Sequence, residues 1–96
     1  MTHQPLVAEW FALTRDRMPD AASARNWPFH FDHCFQRILL DNAVGGVWRE
    51  EIKPPAYRNA SEATLKRAIE LGQQAMAGQA DLHELNRRSL AWRGKL

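Results

Sequence analysis

The chain has 96 residues, of which 45% are hydrophobic and 25% are charged, and its formal net charge is +2. These values are ordinary for one folded domain and exclude an intrinsically disordered chain. The apolar runs are only a few residues long, too short to span a bilayer. The single cysteine excludes an internal disulfide and, with no signal-peptide pattern at the N-terminus, predicts a cytoplasmic protein.

The first predicted helix covers Leu6 to Met18, where apolar residues return with the helical period. Pro5 suits the first turn of this helix. Pro19 is expected to end or bend the helix, because proline has no backbone N–H to donate and its ring meets the preceding turn. Asp20–Arg25 is open to one more short helical turn. Trp27–Pro28 then predicts extended chain, since a residue before proline avoids the helical region.

A second helix is predicted from His33 to Ala43, with Asp32 as its N-cap and Gly45–Gly46 after its end. The chain then enters a Pro-rich central connector that contains Pro54–Pro55. Within this connector, Val47–Ile52 is either a short helix or irregular.

The clearest helix is predicted from Glu62 to Ala77, with Ser61 as its N-cap and Gly78 just past its end. Its apolar face includes three small residues, which allow another helix to approach closely: Ala68, Gly72 and Ala75.

A last helix is predicted to begin at Asp81, which has capping-box spacing to Glu84, and to fade near Gly94. No strand-like alternation persists anywhere in the chain. The sequence therefore predicts a mainly α fold, a small bundle of about four helices that forms a single helical domain over residues 1–96.

The helix from His33 breaks the amphipathic pattern at Leu40. At about 100° per residue, its apolar face holds Cys34, Phe35, Ile38 and Leu39. Leu40 falls on the other face, among the polar residues His33, Gln36, Arg37 and Asp41. Two interpretations stay open: Leu40 is the apolar centre of a contact surface with a polar rim, or the Trp27–Phe31 segment covers it.

The first interpretation gives a set of candidate residues for binding a partner. Tryptophan, tyrosine and arginine anchor many interfaces, and the connector supplies all three close to the polar face of the helix. The partner is expected to be another protein or a second copy of this chain. The candidates are His33, Gln36, Arg37, Leu40, Trp48, Tyr57 and Arg58.

The residues around the start of this helix include metal-ligand types, but the spacing does not favour a metal site. His33 and Cys34 are adjacent on a helix and point about 100° apart, so they do not converge on one ion. We predict no metal site and no cofactor. Cys34 lies near a helix N-terminus, where a thiolate is favoured, yet it falls on the apolar face, and we expect it to be mostly buried and slow to react.

The C-terminal segment LNRRSLAWRGKL contains the candidate residues for nucleic-acid binding, Arg87, Arg88, Arg93 and Lys95. On a helix these arginines point to different sides, and Glu84 is spaced to pair with Arg88. We therefore predict weak, non-specific binding of nucleic acid or none. We expect Trp92 to pack on the core and so to hold the C-terminal tail against it.

Three runs of the sequence resemble a group of short uncharacterised bacterial proteins: FDHCFQRILLDNAVGGVW, PAYRNA and LNRRSLAWRGK. Some members of that group are labelled as GNAT-type N-acetyltransferases. The resemblance covers nearly the whole chain and implies acyl transfer, a mixed sheet, and a coenzyme pyrophosphate bound at an Arg/Gln-x-x-Gly-x-Gly/Ala turn. That spacing does not occur here, where the glycines are residues 45, 46, 72, 78 and 94, so no catalytic residue is carried over.

Three functions are consistent with these observations. The first is a small helical protein-interaction module without catalysis, which rests on the candidate contact surface. The second is an acyltransferase-like enzyme or enzyme accessory, which rests on the resemblance. The third is a nucleic-acid-binding domain that uses the basic second half, where residues 49–96 carry nine Lys and Arg against six acids.

Overall fold

The computed structural model describes residues 3–96, which form helices and contain no strand. The predicted mainly α fold is confirmed. None of the described helices is both long enough and apolar enough to cross a membrane. The α-helices are α1 His3–Phe11, α2 Met18–Ala21, α3 Asp32–Val44, α4 Ala56–Asn59, α5 Glu62–Met76 and α6 Leu82–Trp92.

The chain runs without a break from α1 into α2 through a π-helical stretch, Ala12–Arg17. The backbone N–H of Met18 bonds to the carbonyl of Leu13, five residues back, instead of four. This wider turn directly precedes Pro19, whose ring would meet the preceding turn of a regular α-helix. Of the two expected outcomes, an end or a bend at Pro19, the end does not occur, because the helix widens and continues past the proline.

The third helix, α3, begins one residue earlier than predicted. Phe31 is its N-cap and has extended backbone, while the Asp32 carboxylate accepts a hydrogen bond from the N–H of His33 at 2.8 Å. The helix ends at Gly45, which has φ 78° and donates its N–H to the carbonyl of Asp41 at 2.8 Å. Glycine tolerates this left-handed conformation, so the predicted end of the helix is confirmed.

The centre of the bundle lies where α5 packs against α3 and the π-helical stretch. Ser61 caps α5 as predicted and accepts the N–H of Thr64 at 3.1 Å. A Cβ atom added at Gly72 would lie 2.5 Å from the side chain of Leu13 and 3.0 Å from that of Leu39. The predicted close approach at the small-residue face of α5 is therefore present.

The last helix, α6, packs on α3 through Leu82 and Leu85 and is capped by Asp81, which accepts the N–H of His83 at 3.0 Å. The expectation for Trp92 is wrong, because this side chain is 40% exposed. The end of α6 is held instead by Arg93, which reaches back to α3.

A prediction concerns the acidic residue in the first turn of α6. Glu84 accepts hydrogen bonds from Arg87 and Arg88, and these lower the pKa of Glu84 from 4.5 to about 2. A lowered pKa means that the ionised form stabilises the fold above about pH 4.5 and that this contribution is lost as the pH falls through about 2. Glu84→Gln should lower Tm near neutral pH. The difference in Tm between this variant and the unaltered protein should disappear as the pH falls from about 4.5 to about 2.

Thermal unfolding followed by circular dichroism over a pH series measures this difference. Glu51→Gln is the matched control, because Glu51 is exposed and lies outside α6. A difference in Tm that stays constant down to the acid end of the series would show that the ionised carboxylate of Glu84 does not stabilise the fold.

Candidate functional site

One concavity of about 720 Å³ collects six of the seven candidate partner-binding residues. It is bounded by the end of α1, the start of the π-helical stretch, the polar face of α3, the segment 48–57 and the residue that follows α6. The seventh candidate, Arg58, is exposed and is not part of the lining. The candidates that line the concavity are His33, Gln36, Arg37, Leu40, Trp48 and Tyr57.

Leu40 does not form an exposed apolar centre, because the side chain is only 2% exposed. In the Trp27–Phe31 segment, Trp27 and Phe29 pack edge-to-face on Phe35, with ring centroids 5.6 and 5.4 Å away, and no residue of that segment lines the concavity with Leu40. Leu40 lies instead at the base of the concavity, whose lining also includes residues of the segment 48–56. The predicted contact patch centred on Leu40 is therefore a recess with an apolar base.

Asp41 lies behind the concavity and binds two of its lining residues, Trp48 and Arg93. Its carboxylate is fully buried and accepts four hydrogen bonds from three residues. Arg93 donates two of them through Nε and Nη2 at 2.7 and 3.0 Å, the Ser89 hydroxyl donates one at 2.6 Å, and the Trp48 N–H donates one at 3.0 Å. Asp41 was expected on the polar, solvent-facing side of α3. It is buried instead, because α6 and the segment after α3 cover this side at Asp41.

Arg37 lies in the concavity above this network and has neutral partners. Its guanidinium donates to the Ser89 hydroxyl at 2.7 Å and to the Asn86 side-chain oxygen at 2.9 Å. Burial and the nearby charge of Arg93 lower the pKa of Arg37 below its usual value. An arginine remains protonated at physiological pH regardless, so Arg37 brings a partly desolvated positive charge into the recess.

Aromatic side chains form much of the wall. Phe11 and Tyr57 pack edge-to-face with ring centroids 5.1 Å apart, and Trp10 is almost fully buried behind them. Arg15 lies over the ring of Phe11 at 3.8 Å, and Arg49 lies over the ring of Trp48 at 5.3 Å. Such cation–π contacts hold guanidinium groups against the wall.

The permanently charged side chains that line the concavity are all positive. Arg15, Arg37, Arg49 and Arg93 line it, and no Asp or Glu does so among the described lining residues. The Asp32 carboxylate lies at the edge, 3.7 Å from Arg15. His33 also lies at this edge and is exposed. Arg15 and Arg49 were not among the predicted site residues, because neither breaks a local pattern, and Arg93 was predicted as a nucleic-acid contact.

The C-terminal basic residues are mostly paired. Arg87 and Arg88 both bind the carboxylate of Glu84, at 2.7 and 3.1 Å, and the predicted pair between Glu84 and Arg88 is confirmed. Arg93 is paired with Asp41 at 2.7 Å. Among the described residues, Lys95 is the only one of the four candidates that is exposed and forms no ion pair, so this segment carries little unpaired charge.

Cys34 is mostly covered, as expected, but it is not fully buried. It lies in the first turn of α3, whose buried positions begin at Phe35. Its reactivity stays a prediction. The described residues contain no group of three or more His, Cys, Asp or Glu arranged to hold a metal ion.

Comparisons with family models, with curated proteins and with solved structures found no match to this chain. The resemblance to the short bacterial proteins therefore stays an expectation. The mixed sheet implied by the N-acetyltransferase label has no counterpart in residues 3–96, which contain no strand.

A prediction follows from the buried carboxylate. Asp41→Asn keeps the shape of the side chain but removes its charge, which leaves Arg93 without its ionic partner in a largely desolvated position. Removing one partner of a buried ion pair typically lowers the free energy of unfolding by about 3–5 kcal/mol. We expect a loss of this size in urea unfolding monitored by tryptophan fluorescence.

Asp16→Asn serves as the control, because Asp16 is exposed on the π-helical stretch. Surface substitutions of this kind change stability by about 0.5 kcal/mol or less. Equal effects of the two variants would show that Asp41 does not hold the site together.

Proposed function

We propose that this protein is a non-catalytic interaction module whose concavity binds a segment of a partner protein. The observation that carries the proposal is the composition of the concavity, in which arginine, tryptophan and tyrosine side chains surround an apolar base at Leu40. These residue types dominate the binding energy of many interfaces. A cytoplasmic location stays a prediction from the single cysteine.

The shape of the concavity favours a peptide segment over a small molecule. A typical small-molecule site encloses most of its ligand and is lined chiefly by apolar groups. Here the recess is open to solvent along one side, and arginines lie on several parts of its wall. An extended segment can lie in such a recess with some side chains against the aromatic wall and others directed to the arginines.

The chemistry of the lining supports a role without catalysis. Covalent catalysis needs a nucleophile within hydrogen-bond reach of a base. The described lining has no Ser, Thr, Cys, Lys, Asp or Glu, and its one histidine, His33, is exposed at the edge. Arg37 and Arg93, the lining residues with shifted pKa values, are permanently charged groups that serve in binding and orientation.

A selection from a random peptide library displayed on phage tests the proposal without assuming a sequence. We expect peptides that bind the unaltered protein and lose most of their affinity for Trp48→Ala, because this change removes the indole wall and the support of Arg49. Fluorescence anisotropy with the synthetic peptides measures the affinities.

Trp92→Ala is the matched control, since Trp92 is an exposed tryptophan outside the concavity. Circular dichroism establishes that both variants fold. A selection that gives no peptide, or only peptides whose affinity is the same for both variants, would refute a binding role for the concavity.

A further inference from the structure

We propose that the segment bound in the concavity is acidic, and that its carboxylates bind Arg37 and Arg49 while its remaining side chains pack on Trp48 and Tyr57. This inference rests on the proposed function and adds the chemistry of the partner. Its basis is charge complementarity between a recess lined by four arginines and a segment of opposite charge.

The four arginines differ in how far their charge is already neutralised. Arg93 is held by the buried carboxylate of Asp41 at 2.7 Å, and Arg15 lies 3.7 Å from Asp32 at the edge. Within residues 3–96, neither Arg37 nor Arg49 forms an ion pair with a carboxylate. The recess therefore keeps positive charge in excess, and this excess is concentrated at Arg37 and Arg49.

Arg37 is the group for which an incoming carboxylate matters most. It is partly desolvated, it lies close to the charge of Arg93, and its two acceptors, Ser89 and Asn86, are neutral. A guanidinium has five N–H donors, and the structure uses two of the nitrogen atoms of Arg37 for these bonds. A carboxylate that meets the remaining donors supplies the direct ionic partner that Arg37 lacks among residues 3–96, where the charge of Asp41 acts on it only from beyond ion-pair distance.

Arg49 forms the outer part of the same site. It is exposed, and its guanidinium lies over the ring of Trp48 at 5.3 Å. A guanidinium that lies against an aromatic ring keeps the N–H groups at its edge free to bind a carboxylate. The two arginines and the indole of Trp48 thus combine ionic and apolar recognition within one recess.

The arrangement favours an acidic segment over nucleic acid. A nucleic-acid backbone is an extended row of phosphates, which proteins contact with basic residues spread along a face. In this chain Arg37 and Arg49 share one recess instead of following an extended face, and Arg37 is partly buried there. The exposed arginines of α6, in contrast, are paired with Glu84.

The test uses peptides from the selection described above. We expect those that depend on Trp48 to contain more Asp and Glu than the starting library. Replacing every acidic residue of the best peptide by its amide should weaken binding about tenfold, a value typical of charged hydrogen bonds. The difference should shrink as salt rises from about 50 to about 300 mM, because ions screen exposed charges.

Variants of the protein locate the interaction. We expect Arg37→Gln to weaken the acidic peptide about tenfold and Arg49→Gln about threefold, with little effect of either on the amide peptide. Arg67→Gln is the control, since Arg67 is exposed on α5 and outside the concavity. If Arg37→Gln unfolds, Arg49→Gln still tests the proposal. The side chain of Arg49 donates no hydrogen bond to any of residues 3–96, so replacing it should leave the fold intact.

The outcomes separate the two proposals. Peptides that depend on Trp48 but lack an acidic excess, or that bind equally well as amides, would overturn the acidic assignment and leave the proposed function standing. A selection without any Trp48-dependent peptide would overturn both. An oligothymidylate that displaces the bound peptide at lower concentration than the free peptide does would also overturn the assignment, in favour of nucleic acid.

Discussion

The buried carboxylate of Asp41 is the interaction on which the site depends. One charged group joins α3 to α6 through Ser89, to the residue after α6 through Arg93, and to the start of the connector through the N–H of Trp48. A carboxylate fully removed from water is tolerated only when its lone pairs are satisfied and its charge is paired. The elements that meet these needs are the same elements that bound the concavity, so the stability of the fold and the geometry of the site have a common origin.

The way in which Asp41 is satisfied also sets the charge of the concavity. Both oxygens of the carboxylate are committed to Arg93, Ser89 and Trp48. Arg37 therefore meets this network only through the Ser89 hydroxyl, which donates to Asp41 and accepts from Arg37. The single buried carboxylate of Asp41 thus lies near two arginines, Arg93 and Arg37, but forms an ion pair only with Arg93. The positive charge of Arg37 is left without an ion pair in the recess.

The sequence predicted the parts of the fold that are set by local rules. Ser61 caps α5 and Gly45 ends α3 because each of these ends depends on a side chain or a backbone angle within a few residues. The positions of Leu40 and Asp41 could not be predicted in this way. Their helical face looks solvent-exposed until α6 and the segment 48–56 fold over it, and nothing in the periodicity of α3 reports contacts with residues that distant in the chain.

Because local patterns do not report distant contacts, the sequence predicted only part of the site. Leu40 was a candidate because it breaks the helical pattern, and the polar residues of α3 and the aromatic residues of the connector were candidates because they were expected to lie around it; these residues do line the concavity. Arg15 and Arg93 break no local pattern and join the site only through tertiary packing. A local rule broken without compensation marks places where stability has been given up for another purpose. In this protein that place is Arg37, a partly desolvated cation with neutral partners, which a fold selected for stability alone would have paired or left in water.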